Sequence, residues 1–165
     1  MGERQLDQIR EIALALPEVN ERVSHGAICF FVQDKRPVCY FHDNHRGDGR
    51  ISLWCPAPPG VQEELVAGEP ERFFKPPTSA RGTFSDWLAV YLDTSSANRV
   101  DWHEIAAVIE DAYRLVAPKQ LIAELGNLAS VLKTAARTTE PSSTKRSASP
   151  PLTTPTPARQ SRRSL

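Results

Sequence analysis

A chain of 165 residues has room for one domain of ordinary size and a tail, hardly for two domains. Its 20 basic and 20 acidic residues cancel only as a sum: up to Leu125 there are 13 basic and 19 acidic side chains, a net of −6, and beyond it 7 and 1, a net of +6. An acidic body joined to a basic tail leaves the whole-chain charge silent about partners, so each part is read separately. No apolar run approaches about 18 residues, so no membrane span is expected, and the charged start Met1-Gly2-Glu3-Arg4-Gln5 lacks the apolar core of a secretory signal. Cys29, Cys39 and Cys55 are odd in number and form no C-x-x-C pair. That argues against a disulfide framework and for a reducing cytoplasm.

In chain order, Leu6, Ile9, Ile12, Ala13 and Leu16 recur at helical spacing until Pro17 stops them. Ala27 to Val32 and Val38 to His42 are rich in β-branched and aromatic residues and are joined by the short polar stretch Gln33 to Pro37, a predicted hairpin. Asp43 to Gly49 is a turn-rich loop, followed by a third strand at Arg50 to Cys55. Pro58-Pro59 opens a short helix carrying Val61 and Leu65 on one face. Arg72 to Lys75 is a short strand, ended by Pro76-Pro77. Thr83 to Leu92 is another, with Leu88, Val90 and Leu92 on one face and Trp87, Ala89 and Tyr91 on the other. Asp101 three residues before Glu104 forms a capping-box arrangement ahead of the stripe Ile105, Val108, Ile109, Ala112 and Val116. Lys119 to Leu125 adds a turn or two before Gly126. Beyond Leu128 the composition turns to Ser, Thr, Pro, Ala and Arg, too poor in apolar surface to offset its chain entropy.

Three stretches resemble, in order and spacing, the MmcQ/YjbR family of small bacterial proteins. They are Ser-His-Gly at Ser24 to Gly26, Pro-Glu-Arg-Phe-Phe-Lys-Pro-Pro at Pro70 to Pro77, and Asp-Ala-Tyr-Arg-Leu-Val-Ala-Pro-Lys at Asp111 to Lys119. Leu16-Pro17-Glu18 is also similar to the family's helix end, and the likeness covers roughly residues 5 to 125. The resemblance implies a two-layer α/β sandwich with an antiparallel sheet, grouped with CyaY-like and secretion-chaperone-like arrangements. It also implies a DNA-binding role for a pair of wing-like hairpins. The stretch Ser79 to Trp87 is longer than the short Gly-Trp approach to the last strand common in the family.

Catalytic patterns find little support. Ser24 and His25 are adjacent, and neighbours in an extended segment point to opposite faces, so they are not expected to bond as nucleophile and base. Cys39, His42, His45 and Cys55 contain zinc-ligand residue types, but their spacing matches no standard zinc module and Cys39 fits a buried strand position. His103-Glu104 begins an H-E-x-x pattern that Ala107 interrupts at the second ligand position. No nucleotide-binding glycine pattern is present. Trp54, Trp87 and Tyr91 suit either base stacking or plain strand packing, and the latter is favoured.

The sequence therefore predicts an α+β, two-layer α/β sandwich over residues 1–126, with helices on one face of an antiparallel sheet in the order α-β-β-β-α-β-β-α. A disordered basic tail follows over residues 127–165. No catalytic residue, metal or cofactor is expected. The anticipated activity is non-enzymatic, weak or context-dependent binding of duplex DNA. Candidate phosphate contacts are Lys75, Arg81 and Lys119 in the domain and Lys133, Arg137, Lys145, Arg146, Arg159, Arg162 and Arg163 in the tail. Ser149, Thr154 and Thr156 each precede a proline and are candidate phosphorylation positions. A protein-interaction adaptor is the alternative function.

Overall fold

The computed structural model describes residues 2–94 and 99–138. In chain order the elements are α1 (Glu3–Ala13), β1 (Val19–Ser24), β2 (Ala27–Val32), β3 (Arg36–Asp43), a one-turn 3-10 helix (His45–Gly47) and β4 (Ile51–Pro56). They continue with α2 (Val61–Gly68), β5 (Phe73–Phe74), β6 (Trp87–Tyr91), α3 (Trp102–Val116) and α4 (Lys119–Thr138). The six strands form one antiparallel sheet in the order β1-β2-β3-β4-β6-β5. The expected α+β sandwich is the fold observed.

Period-two alternation divides the strands between two faces. Phe30, Phe41, Leu53, Leu88 and Val90 meet Leu6 and Ile9 of α1 and Ile105 and Ile109 of α3 in the main core. Each large aliphatic side chain withdrawn there from water contributes about 1.5–3 kcal/mol. The opposite face carries a smaller cluster of Cys29, Phe31, Tyr40, Trp54 and Ala89. The middle strands are covered on both sides, so they read as continuous apolar runs instead of alternating ones.

Asp101 caps α3 as expected, its Oδ1 accepting from the backbone N–H of His103 (2.9 Å) and Glu104 (3.3 Å). The reciprocal half of the capping box goes elsewhere: the Glu104 carboxylate is taken by the Arg72 guanidinium. Tyr113, fully buried at the helix end, donates its hydroxyl to the Pro17 carbonyl at 2.9 Å and so ties α3 to the turn after α1.

Four features differ from the sequence expectation. Val19–Ser24 is a strand, the sheet's outer β1, although its Asn, Glu and Arg content gives it no apolar face. β6 is shorter than Thr83 to Leu92, because residues 83–86 belong to the preceding turn. α2 starts at Val61, after a left-handed Gly60 (φ 86°), not at the two prolines. Finally, the helix beginning at Lys119 passes through Gly126, the expected boundary, and runs to Thr138. Leu121 anchors its first turn in the core, and Leu128, Val131 and Leu132 further along are exposed. Residues 127–138 are rich enough in Leu, Ala and Lys to extend a helix already nucleated by packing. Lys145, Arg146, Arg159, Arg162 and Arg163, with Ser149, Thr154 and Thr156, lie outside the described residues. Among the described residues no helix is long and apolar enough to cross a membrane.

Candidate functional site

Among the described residues no helix covers the second face of the sheet. Cross-strand pairing sets Tyr40 opposite Trp54, and Trp54 opposite Ala89. The segment after Pro76-Pro77 folds back over them, bringing the Phe84 ring within 5.8 Å of Tyr40, 5.7 Å of Trp54 and 4.8 Å of Trp87, each edge-on. The buried Gln62 amide of α2 pins the end of that segment by donating to the carbonyls of Ser85 (3.1 Å) and Trp87. Between this cluster, the β1–β2 turn and the loop after β3 lies a recess of about 930 Å³.

The β1–β2 turn forms one lip of the recess. Its two central residues, His25 (φ 52°) and Gly26 (φ 78°), are both left-handed, the conformation that a two-residue hairpin of matching twist demands. Glycine takes this at no steric cost, and His25 bears it as a non-glycine residue. The expected separation of Ser24 from His25 does not hold. The turn rotates the imidazole back over its neighbour and brings Nδ1 to 3.0 Å from Ser24 Oγ. The opposite-faces argument applies to extended backbone, and His25 is not extended. The pair is exposed, and among the described residues no carboxylate orients the ring as a catalytic triad would require.

The loop after β3 forms the other lip. Its backbone is held by Asn44 N–H donating to the Arg50 carbonyl (2.8 Å) and by Gly49 N–H donating to Asn44 Oδ1 (2.7 Å). Asn44 and Arg46 take left-handed conformations that fold His45 back onto the sheet. The His45 ring then lies 4.6 Å from that of His42 and 4.9 Å from that of Trp54. His42 is 9% exposed, and the Nε2 atoms of both histidines are buried without a hydrogen-bond partner. An unpartnered buried polar atom costs about 1–3 kcal/mol. Burial, reinforced by repulsion from His45, lowers the His42 pKa from 6.5 to about 4, so the ring is neutral at ordinary pH.

The Cys39, His42, His45, Cys55 quartet is split by the sheet. The two thiols lie together in the helix-covered core, where burial pushes the Cys39 pKa well above its ordinary value, and the imidazoles lie on the open side. Cys29, Cys39 and Cys55 are all free and buried. Among the described residues no group of three His, Cys, Asp or Glu side chains is placed to hold a metal.

The expected DNA contacts are dispersed. Lys75 is paired with Glu63 (3.7 Å) beside α2. Arg81 is exposed in the turn that Ser79 Oγ organises by accepting from its N–H. Lys119 opens α4 and Lys133 is exposed near its far end; Arg137 falls in its last turn. Trp54 is buried and donates its indole N–H to Ser52 Oγ (3.1 Å), and Tyr91 is stacked on Phe74 and capped by Arg50, so neither presents a free stacking face.

The basic residues differ in their partners, and Arg4, Arg46, Arg81, Arg99 and Lys133 have no ion pair among the described residues. Arg10, Arg50, Arg72, Lys75 and Arg114 are each tied to a carboxylate. Around the tip of the β2–β3 hairpin the pattern reverses. Lys35 and Arg36 line a small groove with Pro118, the residue before Lys119, and Arg22 donates to the Asp34 carbonyl at 3.3 Å. None of Arg22, Lys35, Arg36 and Lys119 has an ion pair among the described residues. The acids on this side are Glu18 and Asp34, which accept from Gln33 and Asn20, and Glu124, which faces Tyr113. Of these four the sequence pointed to Lys119 alone, because β1 carries no strand signature and the turn brings Arg22 beside Asp34 only once β1 is paired.

The YjbR family model matches residues 14–115, from the end of α1 to the last turn of α3. The chain belongs to the YjbR family. Among solved structures it is similar to the Deinococcus radiodurans protein DR2400, which carries the family-model domain DUF419. That match has a TM-score of 0.56 and 19% identity, and covers 73% of this chain and 87% of that one. At that identity the likeness shows a shared fold. The comparison with curated proteins finds no match. The YjbR match stops just before Pro118, so α4 is an addition to the matched region.

Proposed function

We propose that this YjbR-family domain is a non-enzymatic module that binds duplex DNA weakly through phosphate contacts. The observation that carries the reading is a local one: Arg22, Lys35 and Arg36 gather at the β2–β3 hairpin, Lys119 follows the groove residue Pro118, and none of the four has an ion pair among the described residues. A hairpin with unneutralised cations suits the phosphates of a duplex, as the wing-like role of family hairpins anticipates. Each contact would release condensed counterions. The net charge of −6 up to Leu125 opposes this at long range. The basic residues beyond Leu125 would supply the compensating attraction, which makes the binding weak, salt-sensitive and indifferent to base sequence. The three buried, unpaired thiols suit a reducing compartment such as the bacterial cytoplasm.

The test is fluorescence anisotropy of a labelled duplex with the full chain and with a variant carrying Arg22→Gln, Lys35→Gln, Arg36→Gln and Lys119→Gln, over a range of salt. The expected result is weaker binding by the variant at low salt. The logarithm of its binding constant should also fall less steeply with the logarithm of salt concentration, by about 0.9 in slope for each phosphate that is no longer neutralised. Identical slopes would contradict this reading.

A second reading, a protein-interaction adaptor, draws on α4. Leu121, Leu125, Leu128 and Leu132 are spaced four, three and four apart, and the last two are exposed at 51% and 69%. This is half of a helix–helix seam. Sedimentation of the full chain beside a Leu128→Gln, Leu132→Gln variant tests its simplest form, self-association. A concentration-dependent shift that disappears in the variant would support it.

A further inference from the structure

Helix α4 leaves the core soon after it begins. Leu121 is buried and Leu125 packs against the main core, whereas every residue from Gly126 to Ala136 is exposed. The helix continues to Thr138, so its part beyond Leu125 is an arm about 20 Å long at 1.5 Å per residue. Among the described residues no other element covers it.

The polar residues of this arm are ordered around its axis. At 3.6 residues per turn, Gly126, Ser130, Lys133 and the position of Arg137 fall about two, three, four and five whole turns beyond Lys119. They therefore form one row along the helix. Leu128, Leu132 and Glu124, the one acidic residue of α4, each lie more than about a third of a turn away from it. Lys119 and Lys133 are exposed, and neither has an ion pair among the described residues. Between them the row holds only small side chains. A Cβ added at Gly126 would meet nothing within 4 Å, so no neighbour in the fold requires the glycine there. The near end of the row adjoins the hairpin cations, since Pro118, the residue before Lys119, shares a groove with Lys35 and Arg36.

We propose that this row extends the DNA-contacting surface: the arm of α4 lies against a duplex with Lys119 and Lys133 toward its phosphates and its leucines turned away. The inference rests on the DNA-binding reading of the hairpin and adds a face and a direction to it. From Lys119 to Lys133 the axis rises about 21 Å, which matches about six base pairs at 3.4 Å each. Gly126 and Ser130 let the helix approach a phosphate backbone closely between the two cations. The charge acts from a fixed side of a helix, so its position around the axis matters as well as its amount. Leu128 and Leu132 stay available for a helix–helix seam.

The test is fluorescence anisotropy over a range of salt, with a labelled duplex of about 16 base pairs, longer than the row. Three variants of the full chain are compared with the parent: Lys133→Gln alone, Lys133→Gln with Ser130→Lys, and Lys133→Gln with Leu128→Lys. The two double variants carry the same net charge, one on the row and one on the opposite side. All three positions are exposed, and far-UV circular dichroism checks that the helix is kept. Lys133→Gln is expected to lower the slope of log binding constant against log salt by about 0.9. Ser130→Lys is expected to restore it, and Leu128→Lys is not. An unchanged slope in Lys133→Gln would overturn the proposal. So would equal restoration by both double variants, or no restoration by Ser130→Lys. The four-residue hairpin variant, measured alongside, separates the two claims. If it binds more weakly while Lys133→Gln matches the parent, the α4 inference falls alone; if it too matches the parent, or nothing binds, both fall.

Discussion

The two faces of this sheet are built from the same strands and serve different ends. On the helix-covered face, Phe30, Leu53, Ile105 and Ile109 leave no polar atom to satisfy, and the packing is between regular elements. On the open face, neighbours of those same residues, Phe31, Trp54 and His42, meet a turn, a loop and a folded-back segment. There the chain tolerates left-handed non-glycine residues at His25, Asn44, Arg46 and Phe84 and two unpartnered imidazole nitrogens. Strain and unmet polar atoms gather where elements are irregular. Regular packing thus belongs to the covered face, and strained backbone and unmet polar atoms to the open one.

The largest test of that contrast is core truncation. Leu53→Ala, on the covered face, should lower stability by about 2–5 kcal/mol in urea unfolding, whereas Phe84→Ala, half-exposed on the open side, should cost about 1–2 kcal/mol. The reverse order would show that the folded-back segment is part of the folding core. Next comes acid sensitivity. His42 titrates near 6.5 when unfolded and near 4 in the fold. Between these values the unfolded chain takes up a proton that the native state refuses, so the stability is complete above pH 6.5 and drains away as pH falls to 4, by about 2–3 kcal/mol. Glu21, whose pKa is lowered by its bond from Arg10, loses its contribution only at more acidic pH. His42→Phe should flatten the stability profile between pH 6.5 and 4, and an unchanged profile would place the titrating group elsewhere.

Smaller effects sharpen the picture. Asp101→Ala removes the cap of α3 and should cost about 0.5–2 kcal/mol by thermal unfolding. Ser24→Ala, at the exposed lip, should change stability by no more than about 0.5 kcal/mol. A larger loss there would give the Ser24–His25 contact a structural role.

The covered face was legible in the sequence because its signals are periodic. The α1 stripe from Leu6 to Leu16 and the alternation of Leu88 and Val90 with Ala89 follow directly from helix and strand geometry. Tyr113 escaped only because a tyrosine at the end of a stripe looks amphipathic. β1 was illegible because an outer strand half-open on both faces needs no apolar alternation, and Val23 is 74% exposed within it. The candidate sites were illegible for another reason. The Ser24–His25 contact, the folding of His45 onto Trp54 and the closure by Phe84 each depend on left-handed residues whose side chains do not announce them. The passage of α4 through Gly126 reflects helix propagation from a packed first turn, which overrides one unfavourable residue.

The central functional claim is that the unpaired cations at the β2–β3 hairpin, not those at Lys75 and Arg81, meet a DNA backbone. Amide NMR mapping of the full chain with a short duplex, first at low salt and then at rising salt, tests it most directly. Shifts should centre on Arg22, Lys35, Arg36 and Lys119, fade together as salt increases, and be indifferent to the duplex sequence. Shifts confined to the neighbourhood of Lys75 and Arg81, or none within residues 2–126, would contradict it.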